Sequence, residues 1–176
     1  DETWMNEVGL FVKSLAFYIL SFLLIGISWM VMPRFFRNIS FISLVIGFLI
    51  HGYGIFLRMQ IMGRPPVSTL YESVIFVSFI LLLLAITLEY FRADGLGVFI
   101  GSVGGSILHF VGFSYAADGD TLGMLVAVLD SNFWLATHVT TITIGYGASL
   151  VAGFIGHLYL IQNIIDPSNN KKLKSI

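Results

Sequence analysis

Apolar positions dominate the chain and arrive in five runs, near residues 8–32, 39–57, 70–91, 96–115 and 133–165. Each run is long enough to cross the hydrocarbon of a bilayer, which takes about 20 apolar residues in a helix. Helix breakers separate them: Pro33, the pair Pro65-Pro66, Asp94-Gly95 and Asp118-Gly119-Asp120. The pattern predicts an all-α fold, a polytopic transmembrane helical bundle of about five spans forming a single transmembrane domain over residues 1–176. The fifth run is over-long, so its helix must tilt or continue beyond the bilayer.

Composition narrows the class. Of 176 residues, 57% are hydrophobic and 11% charged, where a soluble domain has about 25% charged. The net charge of −1 gives no electrostatic case for a nucleic-acid partner. With no cysteine in the chain, a disulfide framework, a thiolate metal site and a thiol nucleophile are excluded. The opening Asp1-Glu2-Thr3-Trp4-Met5-Asn6-Glu7 is acidic where a cleavable signal peptide is basic. It reads as an external leader or as a cut into a longer chain.

The cations set an orientation. Arg34 and Arg37 lie between the first two runs, Arg92 follows the third, and Lys171, Lys172 and Lys174 follow the fifth. These segments share one side, which the positive-inside rule makes cytoplasmic. The other side takes the acidic N-terminus, the loop with Arg58 and Arg64, and the loop with Asp118, Asp120 and Asp130. The N-terminus is then outside and the C-terminus cytoplasmic. Arg58 and Arg64 are the exceptions to the rule.

With that orientation the histidines acquire depths. At 1.5 Å per residue, His51 lies roughly 10 Å below the outer end of its run, His109 roughly 9 Å and His138 roughly 8 Å. His157 falls near the inner face, roughly 28 Å beyond His138. An ionisable group inside a membrane marks a functional site by default, although a histidine bonded to a neighbouring helix serves packing alone. Trp134, one turn before His138, suits a membrane–water interface. Arg58 follows His51 by nearly two helical turns on the same face. An intramembrane imidazole with a guanidinium above it suits a heme, the ring ligating iron and the arginine pairing with propionates. Arg58 taken alone reads as an anchor to lipid phosphates.

The loop from Met62 to Ser73 is built to start a helix. Pro65-Pro66 forces an extended lead-in. Ser68 or Thr69 caps the following span and Glu72 falls in its first turn. Glycines at 97, 101, 104 and 105, and at 145, 147, 153 and 156, read as surfaces for close helix packing. Glu89 reads as snorkelling or paired.

These residues carry a resemblance. Gly63-Arg64-Pro65-Pro66-Val67-Ser68-Thr69-Leu70-Tyr71-Glu72-Ser73 resembles the G-x-x-P-x-[ST]-x-x-Y-E-[ST] signature of cytochrome c assembly proteins of the CcsA/ResC type. Leu129 to Val139, with Trp134 and His138, resembles that family's external-histidine segment, and His51 to Arg58 is similar to its segment before the proline loop. The resemblance covers about residues 39–165. It implies a heme-handling component of system II cytochrome c biogenesis in the cytoplasmic (inner) membrane. Such a protein presents heme b on the external face for attachment to apocytochrome c, beside a ResB/CcsB-type membrane protein in a cytochrome c synthase (heme lyase) complex. His138 matches the first of the family's two external axial histidines. The second, and the family's tryptophan-rich motif, have no match here, so the chain is the N-terminal portion of a longer protein or a divergent member.

The chemistry is consistent with that implication. Thioether formation adds apocytochrome thiols to heme vinyl groups, and the protein supplies orientation and axial ligation. His138 is the candidate iron ligand; Trp134, His51, Arg58 and Arg64 are the further candidate heme contacts. Two alternatives stay open: a b-type heme electron-transfer subunit with His51 and His109 as the axial pair, and a transporter or assembly subunit whose histidines are structural.

Overall fold

A computed structural model describes residues 9–63, 65, 67, 69–116 and 133–165. They form five helices: α1 Leu10–Ser28, α2 Pro33–Met62, α3 Leu70–Arg92, α4 Leu96–Ala116 and α5 Phe133–Ile165. All five are long and apolar enough to cross a membrane. The chain is a multi-pass membrane protein, and no strand occurs among the described residues.

Local chemistry sets the helix ends. Pro33 occupies the first turn of α2, where a missing N–H costs nothing. The helix therefore starts six residues before the run expected at 39–57, and it continues to Met62. Gly63, with φ +63°, stops it in the left-handed conformation that glycine adopts freely. Conversely, α1 is shorter than the run expected at 8–32, ending at Ser28 with a tight turn from Met30 N–H to the Ile27 carbonyl. Thr69 caps α3 by accepting from Glu72 N–H at 3.1 Å.

Packing follows the membrane rule that small residues let helices approach and polar residues bond across them. Antiparallel α1 and α2 form one hairpin and α3 and α4 another; α1 also lies along α4, and α5 packs chiefly on α3. The buried residues of α1 are Leu10, Phe11, Ser14, Leu15, Tyr18, Ser21, Ile25 and Ser28. Ser21 and Ser40 exchange hydroxyl-to-carbonyl bonds across the α1–α2 contact, at 2.9 and 2.6 Å. Leu20, Leu23, Phe56 and Phe110 lie on the outside. Gly47 permits the closest approach here, since a Cβ there would stand 2.7 Å from Tyr18 Cε1.

The two ends of the bundle differ. At one, Glu89 accepts from Gly95 N–H at 3.0 Å and from Gly97 N–H at 3.2 Å, capping α4 from the last turn of α3. Arg37 lies 4.0 Å from the same carboxylate and donates to the Ala93 carbonyl. Glu89 is thus paired. The other end carries Arg58, Thr69 and the start of α5.

Candidate functional site

Two buried histidines meet inside the bundle. His51 on α2 and His109 on α4 are fully buried, with ring centroids 4.7 Å apart and planes at 79°. Because α2 runs on to Met62, His51 is eleven residues from its helix end, roughly 17 Å, and deeper than the shorter run placed it. The Tyr18 hydroxyl reaches His51 Nδ1 at 3.0 Å. His109 Nδ1 donates to the Gly105 carbonyl at 2.8 Å, and its Nε2 lies 3.1 Å from Ser14 Oγ. Phe11, Phe79 and Phe113 enclose the pair edge-on.

This arrangement counts against the axial-pair alternative. Axial imidazoles direct nitrogen lone pairs at one iron from opposite faces of a porphyrin. Here one ring abuts the other, and both nitrogens of His109 are engaged by protein groups. Among the described residues no cluster of three or more His, Asp or Glu is placed to hold a metal ion.

Arg58 sits above this pair, toward the bundle end, and is buried. Its Nη2 donates to Glu72 Oε1 at 3.3 Å, and its guanidinium lies 5.0 Å from the centre of the Tyr71 ring. Tyr71 in turn meets Phe11 edge-on. A column of contacts therefore runs from the ion pair through Phe11 to the two histidines. A cavity of about 10 Å³, at the lower limit for a single water, lies against Arg58, Tyr71 and Glu72.

Beside the ion pair is a larger space. A groove of about 660 Å³ opens between α2, α3 and the first turns of α5. Its wall is apolar and aromatic, with Ile55, Phe56, Met59, Phe76 and Phe79, and its polar positions are Gln60 and Thr140. Ile55, Met59 and Pro65 border both the groove and the ion-pair cavity. The size falls in the usual range for small-molecule sites, about 300–1,000 Å³.

His138 stands apart from this group. It lies near the start of α5 and is exposed. Thr140 faces the groove, and two residues turn a helix by about 200°, so His138 points to the other side. His157, farther along α5, is also exposed and donates from Nδ1 to the Gly153 carbonyl at 2.7 Å. The structure thus brings His51 and Arg58 into one column and leaves His138 outside it. Trp134 falls within α5, but its side chain, like Arg64, lies outside the described residues.

Sequence reasoning missed the residues that hold the histidines. Ser14 and Tyr18 sit one turn apart on α1, and Ser78 Oγ lies 3.4 Å from His109 Nδ1. Their signal was a row of serines and one tyrosine at helical spacing in an otherwise apolar run.

No family model matches the chain. It is 38% identical over 106 residues to the cytochrome c biogenesis protein CcsA of Chlorella vulgaris, covering 60% of this chain and 33% of that protein. It is 28% identical over 145 residues to CcsA of Chlamydomonas reinhardtii, covering 80% and 39%. Protein NrfI of Wolinella succinogenes is 33% identical over 118 residues, 67% of this chain and 13% of that protein. The chain spans about a third of the length of the curated CcsA relatives it matches. The five helices long and apolar enough to cross a membrane and these similarities agree: over a partial region, the chain is similar to CcsA-type cytochrome c biogenesis proteins.

Proposed function

We propose that this chain is part of a heme-handling component of cytochrome c biogenesis, which presents heme on the external face of the cytoplasmic membrane for attachment to apocytochrome c. The observation that carries the reading is the similarity to CcsA proteins, over 106 and 145 residues of a chain with five helices long and apolar enough to cross a membrane. His138 is the axial ligand in this reading. An exposed imidazole near the start of a spanning helix is accessible to a large planar ligand, whereas His51 and His109 are enclosed. A hydrogen bond to the ring nitrogen away from the iron would fix its tautomer, and Trp134, one turn earlier, would pack on the porphyrin.

Heme is the substrate here, and heme b is the form that needs no prior covalent attachment. The groove between α2, α3 and α5 suits its apolar body, and Arg58, against the adjoining cavity, suits its propionates. His138 faces the other side of α5, so groove and imidazole are two stations and not one pocket. Arg64 would add a second cation on the same side. A ResB/CcsB-type membrane protein is the partner in this reading. The N-terminus is external and the segment from Lys171 to Lys174 cytoplasmic. The alternatives of an electron-transfer subunit and of a transporter lack a supporting observation of this kind.

The test is genetic. Deleting the gene for the full-length protein should abolish covalently bound heme in denaturing gels of membrane and periplasmic fractions, leave b-type spectra intact, and be reversed by a plasmid copy. Normal c-type cytochromes in the deletion strain would rule the reading out.

A further inference from the structure

The contact between Arg58 and Glu72 is buried yet single-pointed. One guanidinium nitrogen meets one carboxylate oxygen at 3.3 Å, with the side chains 6% and 3% exposed. The arginine fork binds carboxylates best through two parallel bonds. Removing one partner of a buried pair leaves the other charge uncompensated, so such a pair opens only where each group has a second place to go.

Glu72 has one. Thr69-Leu70-Tyr71-Glu72 has the spacing of a capping box, and its first half is formed, with Thr69 Oγ1 accepting from Glu72 N–H. In the complete box the carboxylate three residues into the helix turns back to the N–H of the capping residue. There it also faces the positive end of the α3 dipole. Arg58 has the second place in any carboxylate that arrives from the adjoining groove, which shares Ile55, Met59 and Pro65 with the ion-pair cavity.

We propose that Arg58 and Glu72 form a carboxylate-exchange latch. A ligand with an apolar planar body in the groove and a carboxylate at its edge takes Glu72's place on Arg58, and Glu72 swings to the Thr69 N–H. One carboxylate replaces another, so the buried guanidinium never loses its counter-charge. Glu72 thus competes with the ligand and sets how tightly it is held. The inference rests on the heme reading, since heme carries both features.

The experiment uses the full-length protein in lipid nanodiscs, titrated with heme and with heme dimethyl ester, whose carboxylates are masked. Glu72→Gln removes the competing charge and keeps the shape. Its affinity for heme should rise about fivefold or more, a typical coupling between exclusive partners, while affinity for the ester stays as in wild type. The ester also reports that the variant is folded. The swap Arg58→Glu/Glu72→Arg rebuilds an ion pair of reversed polarity and should keep ester binding while losing the preference for heme. An unchanged heme-to-ester ratio in Glu72→Gln, with both ligands bound by wild type, overturns the latch and leaves the heme reading standing. If wild type binds neither ligand, the heme reading fails and the latch with it.

Discussion

Tyr18 and His51 meet through the phenol oxygen and Nδ1 at 3.0 Å, both side chains fully buried in the bundle. The contact ties α1 to α2. With Ser14 on His109 it ties α1 to α4 as well. The polar residues of the bundle thus bond to one another across its helices. That is how an apolar chain specifies one arrangement of spans when lipid and leucine are equally apolar.

Loosening this network should lower stability by a modest amount. Tyr18→Phe removes the hydroxyl and retains the ring, at a cost of about 0.6 kcal/mol and at most ~1.7, as for other interhelical bonds in membranes. Ser14→Ala should cost about the same. Thermal unfolding in nanodiscs should show both variants lowered, and the double variant should fall short of the sum, since Ser14 and Tyr18 serve one cluster. Additive losses would show two independent contacts.

Glu89 should matter more to folding than its place near a span end suggests. Its carboxylate receives three hydrogen bonds from the backbone N–H groups of Gly95 and Gly97. Glu89→Ala strands those donors at a cost of about 1–3 kcal/mol each where they are buried. The α3–α4 turn should then become the first site of hydrogen exchange and proteolysis. Arg92→Ala, which removes an exposed pair with Asp94 at 2.8 Å, should change either measurement little.

How far the sequence reached can be traced through particular residues. The five apolar runs became five helices because length and hydropathy alone decide what can cross a bilayer. Thr69 was legible as a cap because its chemistry is local. The true start of α2 was not, because Arg34 and Arg37 read as loop cations although Pro33 begins a helix that contains them. His51 and His109 were legible as a pair at matched depth. That they abut with both nitrogens of His109 engaged required the partners on α1. Arg58 read as an outward cation, and its pairing with Glu72 depends on how α2 meets α3, which no periodicity encodes.

The orientation of the spans is open to direct assay. Alkaline phosphatase, active only outside the cytoplasm, should be inactive when fused after Ile176 and active when fused in the segment between α2 and α3. The reverse pattern would invert the placement of the Arg58 end and put His138 on the cytoplasmic side.

The most direct measurement is the heme spectrum of the full-length protein carrying His138→Ala. If His138 holds the iron, heme occupancy should fall or the Soret maximum should shift, cytochrome c formation should fall with it, and added imidazole should partly restore both by filling the vacated position. His157→Ala, roughly 28 Å along the same helix, should leave all three unchanged. Normal spectra and normal cytochrome c formation in His138→Ala would contradict the account, and equal losses in both variants without rescue by imidazole would show a helix weakened and no ligand lost.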